Sequence, residues 1–278
     1  MNRMPPKRPL VFAAALVCAG ACAKEADPAP AAATTPVVDV VATEFSFASP
    51  DTLPAGWVTI RIRDDGQQLH HASLARLDDG KTIADLAKLG PTDPLPAWFV
   101  PFGGPQTPVP GGGVTEATVH LDAGSYVLFC VIPGPDGVPH LMKGMAKPFV
   151  VAGPPGGSEP VADVTLTLTD YAFGLSAPLT AGHHVIKIEV GAGQAHEVLL
   201  VRMNPGKRAA DLAAWVEKMD GPPPAVPVGG IGPLVPGGTN YVPVDLTPGD
   251  YAFLCFLPDA KDGVPHVGHG MMSDFTVQ

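Results

Sequence analysis

The 278-residue sequence is poor in charge, in aromatic residues and in cysteine. Charged residues make up 16% of the chain and aromatic residues 6%, and there are four cysteines. With 17 basic against 27 acidic residues, the formal net charge is -10, which argues against nucleic-acid binding by a basic surface. The hydrophobic fraction of 46% argues against disorder and leaves enough chain for two domains with separate cores.

Long hydrophobic runs are also missing. The apolar run near the start, PLVFAAALVCAGA, is too short to cross a bilayer, but it follows three basic residues and precedes small ones, which is typical of an export signal. We therefore predict a signal segment at 1–22, a flexible linker at 23–36 and a periplasmic or extracellular protein. Cys22 is a candidate for lipidation that would tether the chain to a bacterial membrane. Simple cleavage and secretion is the alternative.

Proline and glycine are plentiful, and the chain repeats itself. The 34 prolines and 32 glycines stand among short apolar runs rich in Val and Thr, which predicts many short strands joined by turns. At an offset of 126 positions, TEFSF at 43 aligns with TDYAF at 169, and GVPHLMKGM at 137 with GVPHVGHGM at 263. This match indicates an internal duplication. We place the two repeats at 37–151 and 161–278, with a linker at 152–160.

Each repeat is predicted to be all-β with one short helix. The helices are expected at about 82–89 and 208–219, where each ends before a Gly-Pro pair. The remaining residues alternate as strands or form turns. The sequence therefore predicts an all-β protein of two tandem Greek-key β-sandwich domains.

Soft, metal-seeking side chains gather on one turn-rich loop of repeat one. Cys130 ends a strand whose alternation places it on the same face as Tyr126. His140 and Met145 follow on a loop stiffened by prolines and glycines, and His70 ends its own strand far upstream. One thiolate, two imidazoles and one thioether form the ligand set of a blue copper site, a trigonal His₂Cys group with a weak axial Met.

Repeat two places the same residue types in the same order. That order, with nine or ten residues between the cysteine and the second histidine, resembles the cupredoxins, blue copper proteins of the plastocyanin and azurin type. The resemblance covers both repeats and implies up to two type 1 coppers per chain. The ligands that it implies are His70, Cys130, His140 and Met145 in repeat one, and His196, Cys255, His266 and Met271 in repeat two.

The resemblance implies single-electron transfer, with a c-type cytochrome or a membrane oxidoreductase as the redox partner. Multicopper enzymes of this family carry a histidine directly before the ligand cysteine, together with His-x-His pairs. Here Phe129 and Leu254 stand in that place, and the sequence contains no His-x-His pair. We therefore expect that the chain is not an enzyme.

Alternative interpretations use the same residues differently. A periplasmic copper carrier or sensor would need these ligands but no redox partner, and a purely structural domain would have lost the metal. Two cysteines of an exported chain also suggest a disulfide between Cys130 and Cys255, although their equivalent positions in separate cores favour free thiolate ligands. The neighbouring His71 is interpreted as a surface or turn residue.

Overall fold

The computed structural model describes residues 1, 34–78, 80–86, 88 and 96–278. Apart from residue 1, the predicted signal segment lies outside these residues. So do most of the predicted linker and the predicted end of the first helix. Within the described ranges, no helix has the length and apolar character needed to cross a membrane.

Repeat one consists of two four-stranded sheets, in the orders β2-β1-β3-β6 and β5-β4-β7-β8, which are joined where β3 also pairs with β8. The single helix α1 spans Ile83–Leu86. The strands are β1 (Val37–Thr43), β2 (Ser46–Ala48), β3 (Thr52–Asp64), β4 (Ser73–Leu77), β5 (Phe99–Pro101), β6 (Gly113–Leu121), β7 (Gly124–Phe129) and β8 (Ala146–Gly156).

Repeat two has equivalent strand orders, β10-β9-β11-β14 and β13-β12-β15-β16. The first set continues into repeat one where β14 pairs with β6, and the second is a separate four-stranded sheet. Helix α2 spans Ala209–Val216, inside the predicted 208–219. The strands are β9 (Val164–Thr169), β10 (Ala172–Leu175), β11 (Gly182–Val190), β12 (His196–Met203), β13 (Ala225–Leu234), β14 (Thr239–Leu246), β15 (Gly249–Leu254) and β16 (Met272–Val277). The prediction of two all-β repeats with one helix each is confirmed.

Strand alternation in β7 directs the predicted ligand cysteine into the core. Tyr126 and Cys130 are fully buried in the cluster between the two sheets of repeat one. Val127 and Phe129 face the other way and pack with Leu86 of α1 in a separate cluster. The predicted alternation is therefore confirmed, and the helix covers the outer face of the sheet.

The equivalent strand of repeat two behaves in the same way. Tyr251 and Cys255 lie in the core between its sheets, while Ala252 and Leu254 pack with Leu212 of α2 on the outer face. Burial of these apolar side chains at about 25 cal/mol per Å² is the main force holding each sandwich closed.

The two repeats are in direct contact, and the described residues from 34 onwards belong to one compact unit. β14 pairs with β6 through Tyr241 and Thr118. The buried Asn240 side chain accepts a hydrogen bond from the Gly104 N–H at 3.0 Å. The boundaries at 151 and 161 stay a prediction.

Candidate metal centres

The ligand loop of repeat one folds back on the end of β7. His140 begins a single 3₁₀ turn that ends at Gly144, whose φ of 95° is readily adopted by glycine. The Met145 N–H donates to the His140 carbonyl at 2.9 Å, and the Cys130 N–H donates to the Met145 carbonyl at 3.2 Å. These backbone bonds fix the loop beside the cysteine.

The loop and the segment between β3 and β4 bring three predicted ligands together, and we name this group centre one. His70 lies in that segment, before β4 begins at Ser73, so the expectation that it ends a strand is wrong. The Nδ1 atoms of His70 and His140 are 3.1 Å apart, and Cys130 Sγ lies 3.6 Å from His140 Nδ1. The three ligand atoms lie within 4.8 Å of one another, and all three side chains are fully buried. The separation of the two nitrogens is less than twice a metal–nitrogen bond of about 2.0–2.1 Å, so this donor set fits one ion.

Repeat two builds centre two from His196, Cys255 and His266. The two Nδ1 atoms are again 3.1 Å apart, and Cys255 Sγ lies 3.4 Å from His266 Nδ1. Its loop is one residue longer, yet it makes the equivalent backbone bonds through Met271 and ends its 3₁₀ turn at Gly270, with φ 91°. The same geometry therefore arises from two different loop sequences.

The predicted axial ligands lie in the same cores. Met145 and Met271 are fully buried, each in the cluster that contains the cysteine of its repeat. Their backbone bonds place them next to that cysteine. Metal ligation by these two residues, as by the six others, stays a prediction.

Burial controls the protonation of both centres. It raises the pKa of Cys130 and of Cys255 to about 12, so both are thiols at neutral pH when no metal is present. Burial, together with the nearby His140, lowers the pKa of His70 to about 4, which leaves a neutral imidazole. Both cysteines in the described part of the chain are free, so the disulfide alternative is wrong.

The two centres differ in the groups that hold their first histidines. In centre two, His196 Nε2 donates to Asp170 Oδ1 at 3.2 Å, which leaves the Nδ1 lone pair for a metal. At the equivalent position of repeat one, Glu44 accepts instead from the backbone N–H groups of Gln67 and Gln68. His70 Nε2 is buried with no hydrogen-bond partner among the described residues.

The loop histidine of centre one is held by a neutral partner. His140 Nε2 donates to Gln68 Oε1 at 3.2 Å, and its ring meets the edge of Phe45 at 5.2 Å between centroids. Its ligand-facing Nδ1 is therefore free of protein donors other than the centre itself.

Centre two has more polar surroundings at its loop histidine. The ring of Tyr171 packs edge-on against His266 at 5.6 Å, and its hydroxyl donates to Asp259. Gln194 Nε2 also donates to Asp259 at 2.7 Å. The hydrogen bonds from Tyr171 and then Gln194 hold the pKa of Asp259 well below its usual range, so its negative charge, 3.9 Å from His266 Nε2, is permanent at neutral pH.

A third group of ligand-type side chains lies beside centre two. Atoms of Asp259, Asp262 and His269 come within 4.8 Å of one another, but Asp262 and His269 are exposed. Asp259 already accepts hydrogen bonds from two neighbouring side chains. No site is assigned to this group.

The interpretation of His71 as a surface or turn residue is wrong. His71 is 3% exposed, and its Nε2 accepts a hydrogen bond from the Val131 N–H at 3.0 Å. Glu197 is 6% exposed and accepts from the Phe256 N–H at 3.0 Å. Each therefore fixes the residue after a predicted ligand cysteine. Their shared position, directly after the first histidine of each repeat, is the signal in the sequence that could have identified them.

Comparison with known proteins found similar structures but no matching sequence. No family model and no curated protein matches the chain. An auracyanin from the photosynthetic bacterium Roseiflexus castenholzii is 23% identical, with a TM-score of 0.29, over 44% of this chain and 99% of its own. A Cu-containing nitrite reductase from Thermus scotoductus is 12% identical, with a TM-score of 0.25, over 88% of this chain and 62% of its own. A multicopper oxidase is 12% identical, with a TM-score of 0.24, over 87% of this chain and 88% of its own.

These comparisons correct the expectation that the chain is not an enzyme. The similar structures include a nitrite reductase and a multicopper oxidase, which are enzymes. Two β-sandwich repeats, each with a buried His₂Cys group at the end of the same strand, agree with the resemblance seen in the sequence. The chain therefore has a cupredoxin-type, two-domain fold with one candidate copper-binding centre in each repeat.

Proposed function

We propose that this protein is an exported type 1 copper protein that transfers single electrons and holds up to two coppers. The observation that supports the proposal is the buried group of two imidazole nitrogens and one cysteine sulfur, built twice with the same 3.1 Å separation of nitrogens. Copper in such a site supplies a one-electron couple, because thiolate suits Cu(I) and imidazole tolerates both oxidation states.

In this proposal the cysteines provide the strong thiolate bonds and the four histidines complete the two trigonal planes. Met145 and Met271 would supply the weak axial thioether bonds. The backbone bonds that fix each loop to the end of its strand would keep the ligands in place in both oxidation states. A rigid site needs little rearrangement when an electron arrives or leaves.

The proposed partner is a c-type cytochrome or a membrane oxidoreductase outside the cytoplasm, with Cys22 as the candidate membrane tether. Apolar side chains near the ligand loop of centre one support a contact surface for a protein: Val131 is 37% exposed, Val138 39% and Met142 59%. These residues belong to one loop, and an exposed apolar surface there would be typical of an interaction site.

Copper content and visible absorption of the chain from Ala23 onwards test the proposal. We expect two coppers and the intense thiolate-to-copper band, with one copper and its share of the band lost in each of Cys130→Ser and Cys255→Ser. A variant that kept the full band would contradict the assignment of that centre. A parent protein that bound no copper would contradict the proposal as a whole.

A periplasmic copper carrier or sensor is the second candidate. It is favoured by the complete burial of His140 and His266, which present no exposed ring edge to a redox partner. Tight Cu(I) binding combined with no measurable reduction by a c-type cytochrome would support this candidate over electron transfer.

A further inference from the structure

A chain of buried polar side chains connects the loops of the two centres. At one end the Val131 N–H, directly after the cysteine of centre one, donates to His71 Nε2 at 3.0 Å. At the other end the Phe256 N–H, directly after the cysteine of centre two, donates to Glu197 Oε1 at 3.0 Å. Gln106 lies between them and completes the connection.

Both contacts of Gln106 are hydrogen bonds. Its Oε1 is 3.1 Å from His71 Nδ1, and its Nε2 donates to Glu197 Oε2 at 3.5 Å. The three side chains are 3%, 4% and 6% exposed, in chain order, so water competes little for their polar atoms. We name His71, Gln106 and Glu197 the relay.

The backbone holds Gln106 against repeat two. Its N–H donates to the Gly230 carbonyl at 3.1 Å, and Pro105 forms an isolated bridge with Ile231 of β13. The Thr107 N–H donates to Gln106 Oε1 at 3.1 Å, which fixes the amide orientation. The Gln106 NH₂ group is therefore directed at Glu197.

The donors and acceptors of the relay allow one ordering. Because Val131 donates to Nε2 of His71, the ring proton is on Nδ1 and is donated to Gln106 Oε1. Gln106 then donates from its NH₂ group to Glu197. Since Phe256 also donates to Glu197, this residue must accept at both oxygens, which a carboxylate does and an amide cannot. His71 and Glu197 occupy equivalent positions at the 126-position offset. The hydrogen-bond order therefore requires a different residue type at each of these two positions.

We propose that the relay holds both cysteine loops in ligating position together, so that copper binding at one centre strengthens copper binding at the other. The proposal rests on the proposed copper centres and adds their coupling. A metal that fixes Cys130 also fixes the Val131 N–H, and through the relay it orders the Phe256 N–H beside Cys255. The second ion then binds to a loop that is already partly ordered. Less conformational entropy is lost in this second binding step, so the two binding events are positively coupled.

Two matched variants test the direction of the hydrogen bonds. Glu197→Gln has nearly the same shape, but it places an NH₂ group against either the Phe256 N–H or the Gln106 NH₂ group. The double variant Gln106→Glu/Glu197→Gln exchanges the two groups. Its residue 106 accepts from His71, and its residue 197 donates to residue 106 and accepts from Phe256, so the ordering is restored with the same net charge.

The measurement is the Cu(I) affinity of the full chain, by competition with a chromophoric chelator without oxygen. The titrations of all variants are made at the same pH and ionic strength. Cys130→Ser and Cys255→Ser give the association constants of the single centres. The coupling factor is the product of the two stepwise constants of the parent divided by the product of these single-centre constants.

We expect a coupling factor of about five or more for the parent. For Glu197→Gln we expect a factor of about one, calculated with single-centre constants measured for Glu197→Gln combined with Cys130→Ser or with Cys255→Ser. The double variant, treated in the same way, should recover the factor of the parent. The double variant also controls for folding, because it restores the hydrogen bonds that Glu197→Gln removes. A parent factor near one, or a factor unchanged by Glu197→Gln, would overturn the coupling while leaving two copper centres intact. Absence of copper binding to the parent would overturn the copper centres and the coupling with them.

Discussion

Asp170 gives centre two a support that centre one lacks, and this difference can be measured. Asp170 accepts from His196 Nε2 at 3.2 Å and from the Gln194 N–H at 3.1 Å. Glu44, its equivalent, accepts from backbone N–H groups of the same turn but from no histidine. Asp170→Ala and Glu44→Ala therefore both remove a support of the turn, and only Asp170→Ala removes a support of a ligand.

Loss of such an outer partner typically costs about 10–100-fold in metal affinity. The Asp170 side chain is 35% exposed, so solvent already weakens its field at the imidazole, and we expect the lower end of that range, about tenfold. For Glu44→Ala we expect less than about threefold at centre one, because only the turn is loosened.

The assay is copper competition in single-centre proteins. Asp170→Ala is measured with Cys130→Ser, so that only centre two binds, and Glu44→Ala with Cys255→Ser, so that only centre one binds. Equal losses in the two proteins would refute the reasoning, since they would show that the turn and not the bond to His196 determines affinity. No loss at centre two would mean that the carboxylate does not act on its ligand.

Two further predictions concern the thiols and the buried thioether. Because burial raises the pKa of Cys130 and Cys255 to about 12 while the ligand histidines are neutral, each centre should release one proton when copper binds. Its affinity should then rise about tenfold per pH unit between about pH 7 and 9; an affinity independent of pH over this range would contradict thiolate binding. Met145 is fully buried, so Met145→Ala should lower the free energy of unfolding of the metal-free protein by about 2–5 kcal/mol. Met145→Leu, which conserves volume, should cost less than about 1.5 kcal/mol in the same denaturant titration, and equal costs would show that the side chain is not packed as described.

The sequence predicts the positions of the ligand side chains because simple periodic rules control them. Alternation in β7 directs Cys130 into the core, and the same rule in β15 directs Cys255. The Pro- and Gly-rich loops leave the chain few ways to return, so His140 and His266 are brought back to the sulfur in both repeats. Because the sequence is duplicated, each predicted ligand in one repeat can be compared with the equivalent residue of the other repeat.

The groups around the ligands could not be predicted in this way, because no periodic rule selects them. Gln106 belongs to no strand, and its partners His71 and Glu197 lie far from it in the sequence. Local hydrogen bonds such as that between Asp170 and His196 depend on which acceptor the turn places beside the histidine. In repeat one the equivalent acceptor, Glu44, binds the Gln67 N–H instead. Helix α1 is likewise placed by packing of Leu86 on β7 more than by its own propensity.

The contact between the repeats explains why a duplicated chain diverges where it does. Each repeat in isolation needs one acceptor after its first histidine, and identical residues would satisfy that need. Once the two acceptors are joined through Gln106, they belong to one hydrogen-bonded chain with a donor N–H at both ends. This series of hydrogen bonds needs one residue that accepts on both sides. Two histidines or two amides at the equivalent positions would leave one buried donor facing another donor, which would destabilise the fold by about 1–3 kcal/mol. The ligand positions, which face only their own core, are free of this constraint and keep the same residues in both repeats.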